Sequence, residues 1–224
     1  MSTRVAPTPR RDLEKEWWLR TAAIFGRPRQ VFDAIRDEPL DEAGPARSEP
    51  MLAIVWLAGI AAVLESSVGV HTLDSHVAGG VLYRIDDLTF AVWAFLAGGA
   101  YGFVAYWLLG AAIYLGARGA GSLKSYRLAR HLLVWAAAPI ALSIVVWPVR
   151  LAIYGGDVFR SGGPDTGTPN TVFGGIEALF GAWTLALLLL GVRTVYRWSW
   201  ARSFAAVSLA AVMLGLFALI PVVL

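Results

Sequence analysis

Between Arg130 and Arg150 the chain runs for nineteen residues without an aspartate, glutamate, lysine or arginine. A run of that length crosses the roughly 30 Å hydrocarbon core of a bilayer as an α-helix, because there each backbone N–H and C=O must find its partner inside the segment. Its flanks give it a direction. Arg127 and Arg130, in the basic inner loop at its start, mark a cytoplasmic end. Pro139, near its middle, removes a helical hydrogen bond and predicts a kink. Arg150, at its far end, needs water or a partner.

The rest of the chain follows the same plan. Of 224 residues 57% are hydrophobic and 16% charged, where an ordinary soluble domain carries about a quarter charged residues. Apolar runs at about 51–69, 88–117, 131–147, 172–192 and 203–223 predict an all-α polytopic membrane bundle of five transmembrane helices. Residues 1–50 then form a cytoplasmic tail and residues 51–224 the membrane domain. The net charge of +3 is carried in short stretches between spans, so topology accounts for it and a nucleic-acid partner is not expected. With the N-terminus inside, the three inner segments hold nine, four and three Lys/Arg, against Arg84, Arg150 and Arg160 outside. That asymmetry predicts a cytoplasmic N-terminus and an extracytoplasmic C-terminus. The first fifty residues hold no apolar core of signal-peptide type, so the first span is expected to be the anchor. No cysteine is present, which excludes disulfides, thiolate catalysis and cysteine metal sites.

Residues 1–12 read as a polar tail. From 13 to 40, Trp17, Trp18, Leu19, Ala22, Ile24 and Phe25, then Val31, Phe32 and Ile35, alternate with Arg20, Arg27, Arg29 and Arg36. Two short amphipathic helices, broken at Gly26 and Pro28, are predicted. Tryptophans beside arginines suit the headgroup layer, so Trp17, Trp18 and Phe32 are expected as interfacial anchors on the cytoplasmic leaflet. A helical hairpin packed on the membrane domain is the alternative. The run 88–117 is too long to stand upright and must tilt, kink or project. Within it Gly98 and Gly102 form a GxxxG, for packing inside the bundle or for a dimer interface.

At about 1.5 Å per helical residue, Glu65, Arg150 and Glu177 all fall in the outer third of the membrane. An unpaired ion there costs several kcal/mol, so Arg150 is expected to pair with Glu65 or Glu177. Two carboxylates around one arginine make either a structural pin or a path for a cation or proton. His71, His76, Asp74, Asp86 and Asp87 in the outer loop match no metal-binding spacing, and exposed loop polarity accounts for them better. His131 is most simply interfacial. Gly119, Gly121 and Ser122 lie in a short basic loop with no strand before them, and no nucleophile elbow or phosphate loop is found. No enzymatic activity, cofactor or metal is therefore expected. Trp147, Trp198 and Trp200 fall where aromatic belts form. Trp56, Trp93, Trp107, Trp135 and Trp183 lie deeper, as packing or as the lining of a ligand pocket.

Three pieces of sequence carry a family likeness. The first is Gly26, Arg27, Pro28, Arg29, Gln30, Val31, Phe32, Asp33, Ala34 and Ile35, running to Glu38-Pro39. The second is Tyr126, Arg127 and Arg130 leading into the span with Pro139. The third is Gly191, Tyr196, Ser199 and Arg202 entering the last span. Together they resemble the prokaryotic branch of the Yip (Ypt-interacting protein) family. The resemblance implies five spans, a cytoplasmic N-terminus and a place in a prokaryotic plasma membrane. Eukaryotic relatives are linked to Rab-type GTPases, but their Asp-Leu-Tyr-Gly-Pro run has no counterpart here; the nearest string is Asp87-Leu88-Thr89. The expected role is a non-enzymatic scaffold whose partners are the lipid bilayer and a membrane protein or a second copy. A small transporter or channel subunit, built around Glu65, Arg150 and Glu177 with Pro139 as a gating kink, is the alternative.

Overall fold

A computed structural model describes the backbone over residues 10–37, 45–77, 87–155 and 168–223, and side chains over 17–37, 48–65, 92, 95–155 and 171–214. Its helices, in order, are α1 (Arg10–Gly26), α2 (Pro28–Asp37), α3 (Pro45–Val77), α4 (Asp87–Gly119), α5 (Tyr126–Ala136), α6 (Ala138–Ser143), α7 (Val146–Tyr154), α8 (Thr168–Tyr196) and α9 (Trp200–Val223). No strand occurs among the described residues. Ser48–Glu65, Phe95–Gly119, Tyr126–Tyr154 and Thr171–Tyr196 are long and apolar enough to cross a membrane, and Trp200–Leu214 is a shorter apolar stretch of α9. The protein is an all-α bundle of membrane-spanning helices. α3 and α4, at 33 residues each, outrun the apolar segments that seeded them, since a helix need not stop where the lipid does.

The third span is three helices laid end to end. Pro139 occupies the second position of α6, where its missing N–H costs no ladder bond, and the N–H of Ala137 turns back to the Leu133 carbonyl at 2.9 Å. A second break follows at Ile144 and Val145, where the Val145 N–H reaches Leu142 at 3.1 Å and the Trp147 N–H reaches Ile144 at 3.2 Å. These are three-residue bonds of the 3₁₀ kind. Pro148 explains them, because it leaves the Ile144 carbonyl without its helical donor.

Glycines set how closely the helices approach. A Cβ on Gly59 would strike the backbone of Gly98 and Gly102, one on Gly102 would strike the Val55 carbonyl, and one on Gly99 would meet the Trp56 indole. The GxxxG of α4 therefore packs against α3 within the bundle. On the other side of α4, Gly116 lies against the Ala206 carbonyl and Ala210 of α9.

The amphipathic prelude is a hairpin docked on this bundle. Trp17 is 6% exposed with its ring 6.1 Å from that of Trp135, and Phe32 is fully buried against Gly191. Placement of Trp17 and Phe32 on the leaflet surface is thus corrected: both are inside the protein, while Trp18 at 47% and Leu19 face outward. Gly191 is the physical reason for Phe32, since a Cβ there would crowd its ring. Each such aromatic moved from water into the core contributes roughly 1.5–3 kcal/mol. Arg36 fastens the end of α2, donating to both carboxylate oxygens of Asp37 at 2.7 Å and to the Thr194 carbonyl of α8 at 3.3 Å. The tryptophans also redistribute. Trp107 and Trp56 are exposed, Trp135 is fully buried, Trp147 is 4% exposed instead of sitting in a belt, and the Trp93 side chain lies outside the described residues.

Candidate functional site

Arg150 lies on α7 with 3% exposure. Its Nη1 donates to Glu177 Oε1 of α8 at 2.5 Å, and the rings of Trp147 and Phe173 flank the guanidinium at 5.4 and 5.6 Å. A charge-assisted bond between apolar walls is much stronger than the same bond in water. Glu65 of α3 is placed differently. Its Oε1 is 3.2 Å from the Ser143 hydroxyl at the end of α6, which also lies 2.8 Å from the Ile140 carbonyl. A hydroxyl has one proton, so Ser143 serves Glu65 or Ile140 at any moment. Of the two carboxylates expected as partners, Glu177 takes Arg150 and Glu65 takes Ser143.

The opposite end of the third span holds Arg127 and Arg130. α5 begins at Tyr126 because Ser125 caps it, accepting the Leu128 N–H at 3.4 Å, and the Tyr126 hydroxyl ties it to the Trp107 carbonyl at 2.7 Å. The Arg130 guanidinium then lies 3.7 Å from the Trp107 ring centre, 4.6 Å from Tyr126 and 5.2 Å from Tyr106. Three ring faces hold one cation. Arg127, one turn earlier, instead shares a cavity with Ser48, Tyr106 and His131. His131 is 5% exposed, inside the bundle rather than at an interface.

Other basic residues gather at this end. Arg202 reaches back from α9, with Nη2 and Nε at 2.6 and 2.9 Å from the Ala120 carbonyl and its guanidinium over Trp198. The Arg36 fork holds the Asp37 carboxyl below the usual aspartate range, and the Arg197 and Lys124 charges add to it.

Ser143, the aromatic cradle of Arg130, Gly59 and Pro148 were missed by the sequence reading. Ser143 had a signal, as one of two polar side chains in the run 131–147. The cradle had only the four-residue spacing of Tyr126 and Arg130 as a signal, because Tyr106 and Trp107 lie across a loop.

Among the described residues no group of three or more His, Asp or Glu could hold a metal ion. His71, His76, Asp74, Asp86 and Asp87 have side chains outside the described residues. A family model, the Yip1 domain, matches residues 22–220, which takes in the end of α1, all of α2–α8 and most of α9. The chain belongs to the Yip1 domain family. No curated protein and no solved structure matches it. The match begins within α1 and takes in the whole of α2.

Proposed function

We propose that this Yip1-domain protein is a non-enzymatic organiser that holds a membrane-protein partner or a second copy of itself in a prokaryotic plasma membrane. Its basic end faces the cytoplasm, by the positive-inside asymmetry of its loops, and its C-terminus lies outside. The observation that carries this reading is the closed pairing of Arg150 with Glu177 between Trp147 and Phe173, which acts as a pin between α7 and α8. With the charges answered internally, contact with a partner falls to exposed surfaces such as Trp18 and Leu19 on the docked hairpin. A photo-crosslinker placed at Trp18 or Leu19 in native membranes is expected to trap one discrete partner. Diffuse capture of lipid alone from both positions counts against an organiser.

A transporter or channel subunit is the second reading. It is favoured by the breaks at Ala137 and Val145, which flank Ser143, and by the shared hydroxyl that links the broken segment to Glu65. Ion or proton flux in liposomes that is abolished by Glu65→Gln decides for it and against the organiser.

A further inference from the structure

Two cavities open between α3, α4 and the third span, and they adjoin each other. The first, about 140 Å³, lies toward the basic end and is lined by Ser48, Leu52, Phe103, Tyr106, Arg127 and His131. The second, about 280 Å³, lies deeper and is apolar, with Ala58, Ala62, Ala105, Leu133, Ile140 and Thr184 in its walls. Val55, Tyr106 and Val134 line both, so the two meet at a shared wall that includes the Tyr106 ring.

The chemistry changes along this cleft. Its mouth carries the Arg127 cation, and among the described residues no carboxylate is paired with it. Arg130 is committed to its three rings, so Arg127 supplies the mouth's charge. Ser48 and His131 have interactions of their own and act as a polar wall. The deeper chamber is lined mainly by aliphatic side chains, with the Tyr101 and Tyr106 rings and the Thr184 hydroxyl, which has no hydrogen-bond partner among the described residues. A small anion would satisfy the mouth and leave the chamber unfilled. A neutral hydrocarbon would fill the chamber and leave Arg127 without a counter-charge.

An amphiphile with a negative head answers both. We propose that the cleft between α3, α4 and α5–α6 is a binding site for one anionic phospholipid, its headgroup phosphate on Arg127 and one acyl chain passing Tyr106 into the chamber. The leaflet at the basic end supplies it. The site does not depend on the organiser reading, since an organiser and a transporter can equally hold a lipid there.

The test uses the full chain in a neutral detergent, with native mass spectrometry to count retained lipid. The probes are phosphatidylglycerol, phosphatidylcholine with the same chains, and inorganic phosphate. One phosphatidylglycerol is expected per chain, bound about tenfold more tightly than phosphatidylcholine. Arg127→Gln is expected to erase that preference, whereas Arg118→Gln, an exposed cation outside the cleft, leaves it intact. Ala105→Phe fills the chamber and is expected to lower retention of both lipids; if it does not yield folded protein, Thr184→Leu makes the same measurement with a smaller side chain. Equal binding of the two lipids overturns the proposal. So does a melting shift from inorganic phosphate as large as that from phosphatidylglycerol, which marks a free-anion site. Equal loss from Arg127→Gln and Arg118→Gln marks mere surface attraction, and a folded chamber variant that retains lipid like the wild type removes the acyl chain from the cleft.

Discussion

Arg130 and Arg150 carry the same side chain at opposite ends of the third span, and they are answered in opposite ways. Arg150 meets a carboxylate, so its charge is cancelled within the protein. Arg130 meets the faces of Trp107, Tyr126 and Tyr106, which stabilise a cation without cancelling it. The basic end therefore keeps its positive field, while at the far end the arginine is neutralised by its own neighbour. The same residue type serves as an outward-acting charge in one place and an internal fastener in the other.

The most severe way to break this contrast is Arg150→Ala. It leaves the Glu177 carboxylate without its partner, and losing one member of a buried pair costs about 3–5 kcal/mol. Glu177 is 26% exposed, which moves the expectation toward the lower figure. Thermal unfolding in detergent measures it, and a melting temperature equal to wild type removes the pin. Gly59→Val, between the two ends, forces α3 off the backbone of α4 and is expected to cost about 1–3 kcal/mol. If the ends are independent, its penalty is the same in wild type and in Arg150→Ala; a difference above roughly 0.5 kcal/mol couples them.

Arg130→Lys keeps the charge and loses the flat guanidinium, for a smaller penalty of about 0.5–2 kcal/mol in the same unfolding measurement. No loss would reduce the cradle to chance proximity. The smallest effect is expected at Asp37. Arg36 lowers its carboxyl, so the folded value lies below the unfolded one. The bond's contribution is therefore full above the ordinary aspartate value near pH 4 and disappears as pH falls through the lowered value. Hydrogen exchange over α2 is expected to rise at that acid edge, and Asp37→Asn is expected to remove the edge.

The spans were legible because each needs about twenty apolar residues, whatever packs against them. Pro139 was legible as a break because its chemistry is local. Pro148 carries the same chemistry, but beside Arg150 it reads as the end of a span. Trp17 and Phe32 were placed wrongly because an amphipathic helix looks alike whether its apolar face meets lipid or protein. What separates the two cases is distant in sequence: the absence of a side chain at Gly191, 159 positions after Phe32, and the Trp135 ring beside Trp17. Glu65 and Glu177 were indistinguishable as partners of Arg150, since depth along a helix says nothing of which way a side chain turns around it.

The contact of Gly116 with Ala206 and Ala210, together with Arg202 on the Ala120 carbonyl, joins α4 to α9, which is made about eighty residues later. While the ribosome is still translating residues 120–199, that flank of α4 and the turn after it have no protein to rest on. That flank is covered when α9 arrives, so a chain cut before Trp200 should be recognised by membrane quality control as unfinished even with four spans in place.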